Sequence, residues 1–510
     1  VPRIAALLLL AGLAAAGGEE AARAFREAYR DGAPAEARRQ AILELARADA
    51  PEAAELLFES WAGLEEQAAK LRRDLFAVRS SLRAIRQRPD AAGPDAQALE
   101  ARDTELNARL AALEMERAAI LAGVRGFAAT ATLEWLADKG LARARSPALL
   151  RTAAERVLKG LDAGVVPIFA ALERARDAGQ AVALLDALAA NAGKIGPPAL
   201  PVVLRRLSDR DAAVRAAAAR ATARAALPEG VGALVRQLQR EPARSRVQRE
   251  MLDALRVLTG ANPGDEPALW ARWWRDHEEE VMGSKLVLGQ GKPAPATSDQ
   301  GHFYGIPQVE ERIIYVLDCS GSMIVSMENP RFVAAGAVAA RDDEDSRLDA
   351  AMRELLRAAK SLRRDASFTV VIYSGHAEPL LGEELEPAKP ERHAHLTELL
   401  ARLGPEGQTN IYEALDLALR MAGVHPECPP GVSKADAIYL LTDGAPTDAK
   451  GGLEDPERIL GAVREWNALR RVAIHAIGIG AEHNSAFLRQ LAEENGGSYF
   501  AVLPRKQTRK

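Results

Sequence analysis

Cysteine is nearly absent. Only Cys319 and Cys428 occur in 510 residues, so disulfides are excluded as a main source of stability, even in an oxidising compartment. Aromatic residues make up 5% of the chain, and 67 basic residues stand against 71 acidic ones, for a formal charge of −4. Both figures exclude a protein that grips nucleic acid through a global basic field. After the N-terminal segment no apolar run approaches the ~20 residues that a membrane-spanning helix needs. Several patterns of chemistry are missing too. The segment GQGKPAPAT has Pro293 after its lysine instead of the serine or threonine of a phosphate loop, and GIG at 478–480 matches no dinucleotide fingerprint. No G-x-S-x-G surrounds the serines of the C-terminal half.

What is present begins with Arg3, an apolar run from Ile4 to Leu13, and small residues Ala14 and Ala16. This layout predicts a secretory signal over residues 1–16, cut before Gly17, and hence a protein exported to the periplasm, cell envelope or exterior. No cysteine follows the run, so no lipid anchor is expected at the cut.

Residues 17–280 are rich in Ala, Leu, Arg and Glu and read as helix almost throughout. Leu71, Leu75, Val78, Leu82 and Ile85 alternate by four and three, RPDAAGPD interrupts, and the pattern resumes at Leu99, Leu106, Leu110, Leu113 and Ile120. Two helices joined by a Pro/Gly turn, folded into an antiparallel coiled-coil hairpin within residues 17–126, are expected. From 127 to 280 the chain reads as stacked helix pairs. The stretch LPVVLRRLSDRDAAVRAAAARATA, 200–223, resembles a HEAT-type repeat: an apolar helix, an Asp209/Asp211 turn, and an Ala-rich second helix thin enough to stack closely. Trp270, Trp273 and Trp274 are expected to form a core face that seals the helical array. Residues 281–301 lose periodicity and read as a linker.

After Gly301 short β-rich runs alternate with amphipathic helices. Strands are expected at 313–317, 368–373, 377–381, 437–441, 472–479 and 499–502, and helices near 346–362, 392–403, 411–422, 455–470 and 485–495. Ser346 and Asp349 have the spacing of a capping box. Continuous apolar strands separated by helices specify an α/β doubly wound, mostly parallel sheet over residues 302–504, covered on both faces. The final PRKQTRK ends in a basic tail, 505–510.

The first strand, IIYVL, runs directly into Asp318, Ser320 and Ser322, at the sheet edge where ligands bind in such folds. Spacing by two keeps the three oxygens on one side of the turning chain, with Gly321 allowing the bend. Thr409, in a loop before a helix, and Asp443, after another apolar strand, occupy comparable positions. Three hydroxyls and two carboxylates suit a hard cation such as Mg²⁺ or Mn²⁺, and an oxygen-only set also admits Ca²⁺.

Asp-x-Ser-x-Ser after the first strand, Thr409 in a later loop and the Asp443-Gly444 pair together resemble the von Willebrand factor A domain with its metal-ion-dependent adhesion site. FYGIPQVEERIIYVLDCSGSM is similar to the opening of that domain in secreted bacterial members. The resemblance implies that Ser320, Ser322 and Thr409 lie near the ion, that Asp318 and Asp443 ligate or orient its water, and that an acidic residue of a protein partner takes the sixth position. The expected function is therefore adhesion or protein binding, not catalysis. A second reading, from intracellular relatives of the domain, is an assembly factor serving a nucleotide-driven machine. A third, an aspartate-based phosphotransferase, is disfavoured because Ser320 stands where such enzymes carry a second acid. The segment 324–346 reads as an insertion that shapes partner choice or partly covers the metal. Cys319 and Cys428 are expected to be free thiols, His393 and His395 solvated, His475 a core residue, and RDDEDS at 341–346 a solvated loop.

Overall fold

Helix formers and strand formers are segregated along this chain, and the computed structural model divides in the same way. It describes residues 18–30, 32–86, 93–196, 200–243, 245–293, 301–325, 346–428, 433–469 and 471–503. The expected signal segment, the basic tail and most of the 324–346 insertion lie outside the described residues. Two compact units are formed, residues 1–294 and 295–510. No helix among the described residues is long and apolar enough to cross a membrane.

The first unit is helical. It opens with α1 (Gly18–Ala28), α2 (Ala35–Arg47), α3 (Pro51–Arg86) and α4 (Pro94–Gly126). The long pair α3 and α4 runs antiparallel, because Arg79 meets Asp103 at 2.7 Å while Arg72, earlier in α3, meets Glu114, later in α4, at 3.4 Å. Leu71, Leu75, Leu82, Leu106, Leu110, Leu113 and Ile120 are buried along the seam. The seam departs from expectation at Val78, Ile85 and Leu99, which are only half-buried, whereas Arg72, Arg79 and Asp103 are buried. The arginines fall at the heptad spacing from Ala68 and Leu75, and the register follows that spacing.

Next come α5 (Thr130–Trp135), continued by a π turn at Leu136–Gly140 and a last turn at Leu141–Arg143, then α6 (Pro147–Gly160), α7 (Val165–Arg174), α8 (Ala178–Ala190), α9 (Leu200–Arg205), α10 (Ala212–Ala225), α11 (Pro228–Leu238), α12 (Arg246–Thr259) and α13 (Pro267–Met282). Helices α6, α8, α10 and α12 pack side by side in that order. Alanines make this approach possible: Ala216, Ala217, Ala218, Ala219 and Ala221 of α10 are all buried. Asp211 caps α10 by accepting from the Ala213 N–H at 2.8 Å. Arg220 then joins neighbouring helices by donating to Glu250 at 2.7 Å and Asp186 at 3.2 Å. Of the three tryptophans on α13, only Trp270 is buried. Trp274 lies over α11, where a Cβ at Gly232 would come within 2.8 Å of its ring. Trp273 stacks on His277 with ring centres 4.7 Å apart. The stretch read as a linker starts as the last turn of α13, and Gly289 and Gly291 donate to the carbonyls of Leu258 and Val257.

The second unit contains a sheet with strand order β5-β4-β3-β7-β8-β9, and β6 pairs with β4. Its strands are β3 (Arg312–Asp318), β4 (Ser367–Tyr373), β5 (Ala377–Pro379), β6 (Glu386–Pro387), β7 (Ala437–Thr442), β8 (Ala473–Ile479) and β9 (Tyr499–Val502), preceded by a separate hairpin of β1 (His302–Phe303) and β2 (Ile306–Pro307). β3, β4, β7, β8 and β9 are parallel, and only β5 and β6 are antiparallel. Successive residues of a strand point to opposite faces. Ile314 and Val316 therefore pack with α16 (Ile411–Met421), α17 (Pro456–Trp466) and α18 (Ser485–Glu494), while Ile313, Tyr315 and Leu317 pack with α14 (Arg347–Lys360) and α15 (Pro390–Leu400). Burial on both faces explains the unbroken apolar runs. Asp318 is level with Tyr373, and Leu317 with Leu441, so β3, β4 and β7 end together.

Candidate metal centre

Asp318 is the last residue of β3 and fully buried. Its Oδ1 accepts from the Ser320 N–H at 2.8 Å, and its Oδ2 accepts from the Thr442 hydroxyl at 2.7 Å and the Tyr373 hydroxyl at 3.2 Å. The chain then turns into the loop, and the Gly321 N–H donates to the carbonyl of Gly407 at 3.1 Å, which ties the β3 loop to the loop that carries Thr409.

From there the expected residues connect in a line. Ser320 Oγ lies 3.1 Å from Ser322 Oγ, and Ser322 donates to Asp443 Oδ1 at 2.7 Å. Thr409 is held through its backbone: its N–H donates to Thr447 Oγ1 at 2.8 Å and its carbonyl accepts from the Thr447 N–H at 2.9 Å. Gly444 shows where the hydroxyls converge. A Cβ there would be in ordinary contact with both, 3.5 Å from Thr409 Oγ1 and 4.0 Å from Ser322 Oγ, so the two hydroxyls lie beside the same glycine. All five expected residues thus meet at the ends of β3 and β7 and the start of α16. Ser320, Thr409 and Asp443 are buried, and Ser322 is partly exposed.

Two carboxylates in a buried setting are electrostatically costly. Burial, reinforced by the charge of Asp443, pushes the Asp318 carboxyl up to about 6. Asp443 has a second partner that the sequence does not announce: Arg347 donates through Nη1 to its Oδ2 at 2.8 Å and through Nη2 to Glu482 at 2.7 Å. Arg347 opens α14 after the capping box formed by Ser346 and Asp349. Its only sequence signal is electrostatic, since a cation at the first helical position opposes the helix dipole. Thr442, Tyr373 and Thr447 carry no local sequence signal either. Thr442 sits beside Asp443 in the chain but faces Asp318, which only the pairing of β3 with β7 brings close.

The donor set fits a hard divalent ion. Among the described residues no group of three or more His, Cys, Asp and Glu side chains could hold a metal, so a cation here would depend on hydroxyl oxygens, with two carboxylates behind them. His393 stacks on Phe368, and burial lowers its pKa, while His395 is exposed. His475 stacks on Tyr439, and its Nδ1 accepts from the Ser498 N–H at 3.1 Å. Both cysteines are free thiols, Cys319 being buried in the core between the sheet and α14.

Residues 338–500 match the profile described as von Willebrand factor type A domain. That match includes Thr409 and Asp443 and begins after Asp318, Ser320 and Ser322. Inter-alpha-trypsin inhibitor heavy chain H3 of Bos taurus is 26% identical over 201 residues, which are 38% of this chain and 20% of that one. Inter alpha-trypsin inhibitor heavy chain 4 of Mus musculus is 27% identical over 194 residues, covering 38% and 18% of the two chains. This chain therefore spans about a fifth of the length of these relatives. Among solved structures, a von Willebrand factor type A protein from Catenulispora acidiphila shows 23% identity over 38% of each chain with a TM-score of 0.29. Proximal thread matrix protein 1 from the mussel byssus, with a zinc-occupied MIDAS motif, shows 20% identity over 39% of this chain and 42% of its own, with a TM-score of 0.26. On the sequence matches, the C-terminal region of this chain is a von Willebrand factor type A domain.

Proposed function

We propose that the C-terminal domain is a metal-dependent protein-binding module of an exported protein. Ser320, Ser322 and Thr409 would hold Mg²⁺ or Mn²⁺ through their hydroxyls, with Asp318 and Asp443 orienting its water, and a carboxylate of a protein partner would complete the coordination. When bound, the ion supplies an electrophilic position for an anionic oxygen. The chain's own groups keep that position electrophilic. Asp318 is already engaged by three donors, and Asp443 by Ser322 and Arg347, so little uncompensated negative charge faces the site. The helical pairs, stacked in HEAT-like fashion, serve as the scaffold. Binding is favoured over catalysis because Ser320 stands where an aspartate-based phosphotransferase needs its second acid.

The observation that carries this reading is the chain of contacts from Ser320 to Ser322 to Asp443, at 3.1 and 2.7 Å, with the Thr409 hydroxyl beside Gly444 on the same side as that of Ser322. Titration calorimetry of the purified protein tests it. One Mg²⁺ or Mn²⁺ is expected to bind wild type and none the Ser320→Ala/Ser322→Ala variant. Affinity capture from the cell envelope should then yield partners only with wild type and metal. Identical captures with metal, with chelator and with the variant would overturn the reading.

A further inference from the structure

Arg347 is an expensive residue in its place. Its side chain is 5% exposed, its guanidinium lies between Asp443, fully buried, and Glu482, 58% exposed, and the backbone closes over it. A Cβ at Gly480 would come within 2.6 Å of Nη2. The Arg347 N–H is fixed as well, donating to the carbonyl of Val325 at 2.9 Å. Desolvating a guanidinium costs several kcal/mol unless carboxylates compensate it, and at the N-terminus of α14 the helix dipole adds to the cost. Helix stability therefore does not account for an arginine here. Its compensation comes from Asp443, the residue that bonds Ser322 with its other oxygen.

We infer that Arg347 is a positioning residue that divides the site's affinity between ion and ligand: its fixed positive charge weakens the hold on a divalent cation and strengthens the attraction for an anionic ligand, with Glu482 setting how much of that charge the site feels. The inference rests on the metal-dependent reading above. It follows from Coulomb's law acting with opposite signs on two guests. A charge held beside Asp443 repels an incoming cation and attracts the carboxylate that follows it. Across the short distances of a buried cluster each effect is worth about tenfold in affinity or more. Glu482 takes part of the guanidinium's charge away from Asp443, so neutralising Glu482 must act in the direction opposite to neutralising Arg347.

The test uses the full chain with Mn²⁺ as the cation and glutarate as the anionic probe. Mn²⁺ affinity is read from the electron paramagnetic resonance of the free ion, and glutarate affinity from water-proton relaxation of the Mn²⁺-loaded protein. Arg347→Gln, which keeps an amide donor to Asp443, is expected to bind Mn²⁺ about tenfold tighter and glutarate about tenfold more weakly. Arg347→Lys should remain close to wild type on both readouts. Glu482→Gln, on a half-exposed side chain, is expected to bind Mn²⁺ about threefold more weakly and glutarate correspondingly tighter, and it carries the test if Arg347→Gln fails to fold. A purely structural role would lower both affinities together in Arg347→Gln. That result, unchanged affinities, or shifts of the same sign in Arg347→Gln and Glu482→Gln would overturn the inference and leave the metal site standing. Failure of wild type to take up Mn²⁺ would remove the metal-dependent reading, and this inference with it.

Discussion

Three donors surround the Asp318 carboxylate, yet burial and the nearby Asp443 charge hold it well above the ordinary carboxylate range, at about 6 against an ordinary 3.8. Desolvation thus outweighs the hydrogen bonds, and the sign of the consequence is fixed. Below about 6 the folded protein without metal carries a proton at Asp318 that the unfolded chain would have released, so stability without metal falls as pH rises from about 4 to about 6. Metal uptake at the proposed site would run the other way, because a proton on Asp318 would compete with the ion. Mg²⁺ affinity measured by calorimetry is expected to be flat above about pH 7 and to fall by up to about tenfold per unit below about 6. A flat profile down to pH 5 would mean that Asp318 takes no part in holding the ion. At this scale legibility depended on separation along the chain. Asp318, Ser320 and Ser322 are two residues apart, and Thr409 and Asp443 each follow a recognisable local signal. Thr442 and Tyr373 reach Asp318 from 124 and 55 positions away, and Arg347 reaches Asp443 from 96, so no local pattern announced them.

Among the elements, the strands of the sheet were the most legible, because burial on both faces forces continuous apolar runs. The expected 499–502 and the observed β9 coincide, and β3, β4 and β7 differ from expectation by a residue at one or both ends. The two-residue strands β1, β2 and β6 are not legible in the sequence because they have no periodicity to read. The seam between α3 and α4 is legible only in part, because apolar periodicity gives its leucines but not its charges: Arg79 and Asp103 are each buried there and bond each other at 2.7 Å. Two consequences follow for stability. Removing Arg79 strands the buried Asp103 carboxylate, so Arg79→Leu alone is expected to cost about 3–5 kcal/mol, and Asp103→Leu less, because Arg79 makes further contacts. Removing both in Arg79→Leu/Asp103→Leu should recover most of that loss, since an apolar pair of similar volume suits a helical seam. Chemical denaturation of the two single variants and the double variant measures the coupling. Additive losses in the double variant would show that the two side chains do not act as a pair.

At the scale of the whole molecule, composition alone separated the helical half from the α/β half, and the contacts divide the chain at residues 294 and 295, within the stretch read as a linker. Every residue placed at the candidate site, from Asp318 to Glu482, belongs to the second unit. An ion bound at the proposed site would hold closed the loops that carry its ligands, raising the cost of each local opening by RT ln(1 + [L]/Kd), about 2.7 kcal/mol at a hundredfold excess over Kd. Amide exchange of the full chain should therefore respond unevenly to Mg²⁺. Residues 318–325, 405–410 and 442–453 are expected to exchange up to about a hundredfold more slowly at that excess. The centres of β3 and β7, already protected by a two-sided core, should change little, and residues 18–293 should not change. Slowing spread evenly over both units would mean that the ion acts on the whole molecule and not through the three loops that carry the proposed site residues. Slowing confined to 405–410 would leave Ser320 and Ser322 without a role, because the β3 loop that carries them would then be indifferent to the ion.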